Sequence, residues 1–292
     1  MVKELALSKG EDGMYTVVPA VAYVNEQEWS SAWYTNYVGY ATVEEAEAAV
    51  EPIKTKVVGK NTYYSDREVV TLLVKGGENL EDVLNGEAEN VALPAGEYTL
   101  PSTSGDVSIT GTKDTVITVN DVTAKQISMS GVTVKSSGVA YTGIKHSEEV
   151  VFTDCTIVGN MYLYAENVVF TNCTFDLSET NDYIWVYGAK NVTFKDCTFN
   201  TMGKAILVFQ DGSKLDQTVT VEGCTFNASQ AAYTWNGIHV AAVSMDGGQG
   251  GTYNVILNNN TVDSNFSDLW QDKTSAGNIT VTVDGTTVLT KN

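Results

Sequence analysis

Arginine is all but missing from this chain. Arg67 is the only one, and Lys and Arg together number 17 against 36 Asp and Glu, for a formal net charge of −19. Such a surface repels a phosphate backbone, and no basic stripe offsets it, so nucleic-acid partners are not expected. Histidine is as scarce, at His146 and His239. Neither has a recognisable nucleophile or acid beside it, so a Ser-His-Asp or Cys-His device is not expected and each reads as a surface or satisfied side chain. No apolar run approaches the roughly 20 residues that span a bilayer. Met1 to Gly13 alternate charged and apolar side chains and lack the continuous apolar stretch of a secretory signal.

What is present is a repeat. Six segments align without gaps: QISMSGVTV (126–134), EVVFTDCTI (149–157), NVVFTNCTF (167–175), NVTFKDCTF (191–199), TVTVEGCTF (218–226) and NVILNNNTV (254–262). Their second column holds Ile127, Val150, Val168, Val192, Val219 and Val255; the fourth holds Met129, Phe152, Phe170, Phe194, Val221 and Leu257. Apolar residues two apart mark one buried face of a strand. Column six contains only Gly, Asp or Asn (Gly131, Asp154, Asn172, Asp196, Gly223, Asn259), the types that best tolerate a left-handed backbone. A bend is therefore expected in every copy, followed by a short strand with Val132, the four cysteines or Asn260 inward, Thr outward, and Val134, Ile157, Phe175, Phe199, Phe226 and Val262 inward.

Strand, left-handed bend, strand and variable return make one coil of a solenoid, with insertions in the loops. The expected fold is mainly β: a right-handed parallel β-helix over residues 78–292, preceded by a small α+β domain over residues 1–76. The four cysteines, Cys155, Cys173, Cys197 and Cys224, share one inward column. An even number is compatible with disulfides; the column position predicts a buried ladder of free thiols. No metal and no cofactor are expected. The Thr column is similar to the rows of ice-binding helices, but one regular row reads as a β-branched ladder that favours strand pairing.

In the front domain, two β-like runs flank the turn-forming KGEDG (9–13), and Thr42-Val43-Glu44-Glu45 is a capping box for a helix that Pro52 stops. Strands are expected at KVVG (56–59) and REVVTLLVKG (67–76), with Gly76-Gly77 as linker. Its aromatics (Trp29, Trp33, Tyr34, Tyr37, Tyr40) leave docking, anchoring, self-association into a homo-oligomer and simple core formation open as roles.

The segments NVVFTNCTF and NVTFKDCTF resemble coils of the pectate-lyase-like β-helix superfamily and its bacterial surface and phage relatives. NLEDVLNGEAENVALPAGEYTL (79–100) resembles the start of such domains, a short helix plugging the open end before a first strand. SDLWQDK and NITVTVDGTTV (267–288) resemble a closing coil. The enzymes of that superfamily use clustered carboxylates with Arg, or Asp with His, Arg and Lys partners, and the coils here contain no Arg. A glycosidase of the tailspike kind needs only two carboxylates flanking a sugar, for which the candidates are Asp176, Glu179 and Asp182 in one loop and Asp211 with Asp216 in another.

The strand expected before each copy carries the other candidate site: MYLY (161–164), YIWVY (183–187), AILVF (205–209) and GIHV (237–240). With Leu163, Ile184, Val186, Ile206, Val208, Ile238 and Val240 inward, alternation turns Tyr162, Tyr164, Tyr183, Trp185, Tyr187, Leu207, Phe209 and His239 outward. Exposed apolar patches mark contact surfaces, and flat rings suit sugar faces, a protein partner or the front domain. The reading preferred from sequence is a non-catalytic β-helix on the extracellular side, a cell surface or a virion. It would serve adhesion, with carbohydrate as the favoured partner. A polysaccharide-degrading enzyme and a structural or assembly subunit are the alternatives.

Overall fold

The structure, a computed structural model, describes the backbone of residues 6–9, 15–18, 38–40, 54–58, 61–65, 71–73, 80, 84 and 90–291. Within the last span it excludes 137–141, 179–182, 203, 211–215, 230–233, 236–237, 240, 248–250 and 275–277. Side chains are described at Leu80 and Leu84 and from Val91 onward, again without those residues and without 209–210, 234–235, 238–239, 247 and 273–274. The chain divides into two compact units, Met1–Pro94 and Ala95–Asn292.

In the first unit Ala6–Lys9 pairs antiparallel with Tyr15–Val18, which pairs antiparallel with Val38–Tyr40. Lys54–Val58 forms an antiparallel hairpin with Asn61–Ser65, and Thr71–Leu73 runs parallel to Asn90–Ala92. Leu80 and Leu84, one helical turn apart, are helical and buried. The helix expected after Thr42 and the side chains of Trp29, Trp33, Tyr34, Tyr37 and Tyr40 lie outside the described residues.

The second unit is a coil of parallel strands, and its three faces follow from the column chemistry of the repeat. The middle face stacks Asp106–Thr110, Gln126–Ser130, the second halves of Gly143–Thr153 and Met161–Thr171, then Asn191–Lys195, Gln217–Glu222, Thr252–Asn258 and Asn278–Val283. Its register is that of the aligned segments. Ile127, Val150, Val168, Val192, Val219 and Val255 are successive Cα partners, as are Met129, Phe152, Phe170, Phe194, Val221 and Leu257.

The bend after each middle strand has a positive φ: Gly131 72°, Asp154 55°, Asn172 53°, Asp196 53°, Gly223 66° and Asn259 54°. Past it lies the exit face: Gly96–Leu100, Thr115–Val119, Thr133–Ser136, Thr156–Val158, Thr174–Leu177, Thr198–Thr201, Thr225–Ala228 and Thr261–Val262, all parallel. The Thr row from Thr133 to Thr261 is in register, with its side chains half-buried or exposed.

An entry face begins with the first halves of Gly143–Thr153 and Met161–Thr171, and continues through Ile184–Tyr187, Ile206–Gln210, Val243–Gly247 and Trp270–Thr274. Thr286–Lys291 turns back antiparallel on Asn278–Val283. Among the described residues no helix is long and apolar enough to cross a membrane.

The core is a set of aromatic stacks along the coil axis. Phe170 lies over Phe194 at 5.2 Å and 1°, Phe175 over Phe199 at 4.2 Å and 3°, and Phe199 over Phe226 at 4.7 Å and 14°. Edge-to-face contacts tie the two rows together, as between Phe170 and Phe175 at 5.0 Å and 63°. The cysteines form a third inward row of buried free thiols. Each Sγ faces backbone carbonyls rather than water: Cys155 lies 3.4 Å from the Met129 oxygen and Cys173 3.4 Å from that of Phe152, in each case on the preceding coil. Asn260 ends this row, its Nδ2 donating to the Val221 carbonyl and its Oδ1 accepting from the Cys224 amide. The half-buried amide in the thiol column is thereby bonded at both its oxygen and its nitrogen.

Candidate functional site

Two adjacent entry strands build the site. Register makes Tyr162 the partner of Trp185, and Tyr164 the partner of Tyr187. Met161, Leu163, Ile184 and Val186 between them point into the core and are buried, so strand alternation leaves four aromatic side chains on the outer face. Tyr162 meets Trp185 edge to face at 5.7 Å, Tyr187 lies tilted against Tyr162 at 5.8 Å, and Tyr164 meets Tyr187 edge to face at 5.3 Å. The rings are braced against one another and remain half-buried.

The preceding coil closes one end. Gly143 is the register partner of Tyr162, and its φ is 157°. A Cβ there would collide with the Tyr162 carbonyl, so glycine is required for the two strands to approach. Further along the same strand the register slips between Lys145 and Ser147, and His146, at the slip, takes a left-handed φ of 57°. That conformation stands the exposed imidazole against the edge of Tyr164, ring centres 4.7 Å apart. Lys145 reaches over the Tyr162 ring at 5.9 Å and forms a 2.8 Å ion pair with Asp121. Together Lys145, His146, Tyr162, Tyr164, Trp185 and Tyr187 line a concavity of about 420 Å³.

Sequence alternation thus identifies four of these six side chains. It misses Lys145 and His146, although aligning GIK (143–145) against YLY (162–164) would have placed Lys145 beside Tyr164. Tyr183 stands next to the cleft, its ring stacked on Trp185 at 6.0 Å and the Lys204 ammonium 4.3 Å from its centre. Phe209 is the backbone partner of Tyr187, but its side chain lies outside the described residues.

The strip ends sooner than alternation predicts. Leu207, register partner of Trp185, is buried at 6% exposure rather than outward and open. His239 is not on this face as expected: Ile238–His239 pairs antiparallel with Thr234–Trp235, and Val243–Gly247 takes the entry position of that coil. The physical reason is that Val243 and Met245 supply the buried alternation over Ile206 and Val208, which leaves Ile238–His239 to a local hairpin.

The carboxylate candidates are not assembled in the same way. Asp176 is on the exit face, where its Oδ1 accepts from the Ser178 hydroxyl at 2.5 Å and the Ser178 amide at 3.3 Å. Asp216 precedes a middle strand and accepts from the Thr252 amide at 3.1 Å. Both hold loop backbone in place, on different faces. Glu179, Asp182 and Asp211 lie outside the described residues. Among the described residues no group of three or more His, Cys, Asp or Glu is placed to hold a metal ion.

No curated protein and no solved structure matches the chain. Residues 102–261 match the family described as right handed beta helix region. The matched span holds every thiol, every positive-φ bend of the aligned repeats and the whole aromatic cleft. Its handedness is the one that right-twisted strands impose on parallel crossovers. By its repeat, its register and this match, the chain belongs to the right-handed β-helix family.

Proposed function

We propose that this protein is a non-catalytic adhesion module whose entry face binds carbohydrate through the cleft at Tyr162, Tyr164, Trp185 and Tyr187, and that it works on a cell or virion surface. The observation that carries the reading is the cleft itself: four rings and two nitrogen-bearing side chains around about 420 Å³. That volume lies within the range of small-ligand sites, roughly 300–1,000 Å³. A sugar ring offers C–H faces to the negative faces of aromatic rings and hydroxyls to phenol, imidazole and ammonium groups.

A protein partner needs a broad surface, about 800 Å² a side. The cleft is short, with Gly143 at one end and the buried Leu207 at the other. Short and concave favours a few sugar rings over a flat partner. The braced rings also favour binding, because little side-chain freedom remains to be lost when a ligand arrives.

An oligosaccharide array followed by calorimetry tests this. Binding to one glycan class, lost in Trp185→Ala and Tyr187→Ala while the thermal midpoint holds, is the expected result. New reducing ends or unsaturated products from incubated polysaccharides would overturn the non-catalytic part. The absence of binding to any glycan would overturn the whole.

A further inference from the structure

We infer that the cleft selects uncharged sugars and turns acidic ones away. This rests on the carbohydrate reading above and names the ligand class of the same site. Lys145 is the one fixed cation among the described lining residues, and Asp121 already holds it at 2.8 Å, with the Tyr162 ring under it. Two further described cations are also engaged. Lys190 pairs with Glu166 at 2.8 Å, and Lys204 stands over the Tyr183 ring at 4.3 Å.

A carboxylate sugar is best held by a guanidinium fork, and the described lining of the cleft contains no arginine. An incoming uronate would have to share the Lys145 ammonium with Asp121 or displace Asp121 from it. It would also approach a chain of net charge −19, whose field opposes it. A neutral ring meets neither cost and gains the full contact with four aromatic side chains.

The experiment compares neutral hexose tetrasaccharides with uronate tetrasaccharides of the same linkage, at about pH 8, above the range where imidazoles usually charge. Wild type, Asp121→Asn and Trp185→Ala are each measured at low salt and at about 1 M salt, where screening shortens to about 3 Å. Asparagine tolerates the left-handed φ of 51° at position 121, so Asp121→Asn frees the ammonium without bending the corner.

Wild type is expected to bind the best neutral sugar at least about tenfold more tightly than any uronate at low salt, a gap of one decade in Kd, and the gap should narrow at high salt. Asp121→Asn is expected to gain uronate affinity and keep its neutral affinity. Uronate binding in wild type that equals or exceeds neutral binding, and is lost in Trp185→Ala, would overturn the selectivity while leaving the carbohydrate reading intact. An Asp121→Asn variant with no gain toward uronates would also overturn it. Failure of every sugar to bind would sink both readings.

Discussion

Phe175 and Phe199 are register partners on the exit face, and their rings lie parallel to within 3° with centres 4.2 Å apart. The strand spacing of a parallel sheet, about 4.8 Å, is close to the thickness over which flat rings touch. A phenylalanine repeated in one column therefore stacks on its own copy without adjustment.

Truncating one member should leave a void that its neighbours cannot fill, because each is held by its own coil. Phe199→Ala is expected to cost about 3–5 kcal/mol, read as a lower urea midpoint. Phe199→Leu should cost clearly less. Equal losses for the two would show that the void is not what sets the cost.

At the bends the side chain matters less than the sign of φ. Asn172 sits at 53° and donates to Asp154 Oδ1 on the preceding coil. Asn172→Val should destabilise by about 1–2 kcal/mol or more, the cost of a left-handed conformation for a side chain that resists it. Asn172→Gly should lie much closer to wild type in the same chemical denaturation series. A glycine variant as unstable as the valine one would refute the backbone explanation.

The thiol row gives a chemical readout. Cys155, Cys173, Cys197 and Cys224 are free and buried, so a thiol reagent should label none of them in the native protein and all four in denaturant. Rapid native labelling of any one would contradict the packing described.

The same row carries a pH signature. Cys155 is pushed up by the Cys173 thiol beside it and then by burial, and Cys197 by Cys173 and Cys224 and then by burial, while the same contacts push Cys173 and Cys224 down. A thiol raised in the folded state retains a proton that the unfolded chain gives up. Its contribution is whole below the unfolded value of about 8.5 and fades as pH rises beyond it. Alkaline loss of stability should therefore be shallower in Cys155→Val/Cys197→Val than in wild type when chemical denaturation is repeated at rising pH. An unchanged slope would exclude these thiols as its source.

At the cleft, His146→Gly should relieve the left-handed strain at φ 57° and leave folding intact while removing one wall. Its expected effect is a modest loss of glycan affinity, about 1 kcal/mol for one lost hydrogen bond, against a much larger loss for Trp185→Ala. Unaltered affinity in calorimetry would place the imidazole outside the ligand's reach.

The parts of this fold that were legible in the sequence are those where one residue type does one job in every coil. Val168, Phe170, Asn172 and Cys173 each occupy a column whose chemistry admits few substitutes, and the columns stack at fixed register. The entry face was legible only where its alternation is strongly aromatic, at Tyr162 to Tyr187. It failed at His239 because two short apolar runs, GIHV and AAVSM, competed for one position and alternation alone cannot rank them. Lys145 and His146 were missed because the bulge between Lys145 and Ser147 breaks the period on which pattern reading depends.

The middle and exit faces are already running at Asp106 and Gly96, whereas the first entry strand starts at Gly143. The turns before it supply none of the residues that line the cleft, although Asp121 holds Lys145 from there. Turns ahead of Asp121 could be spliced in or out, lengthening or shortening the tube before the cleft without redrawing its walls.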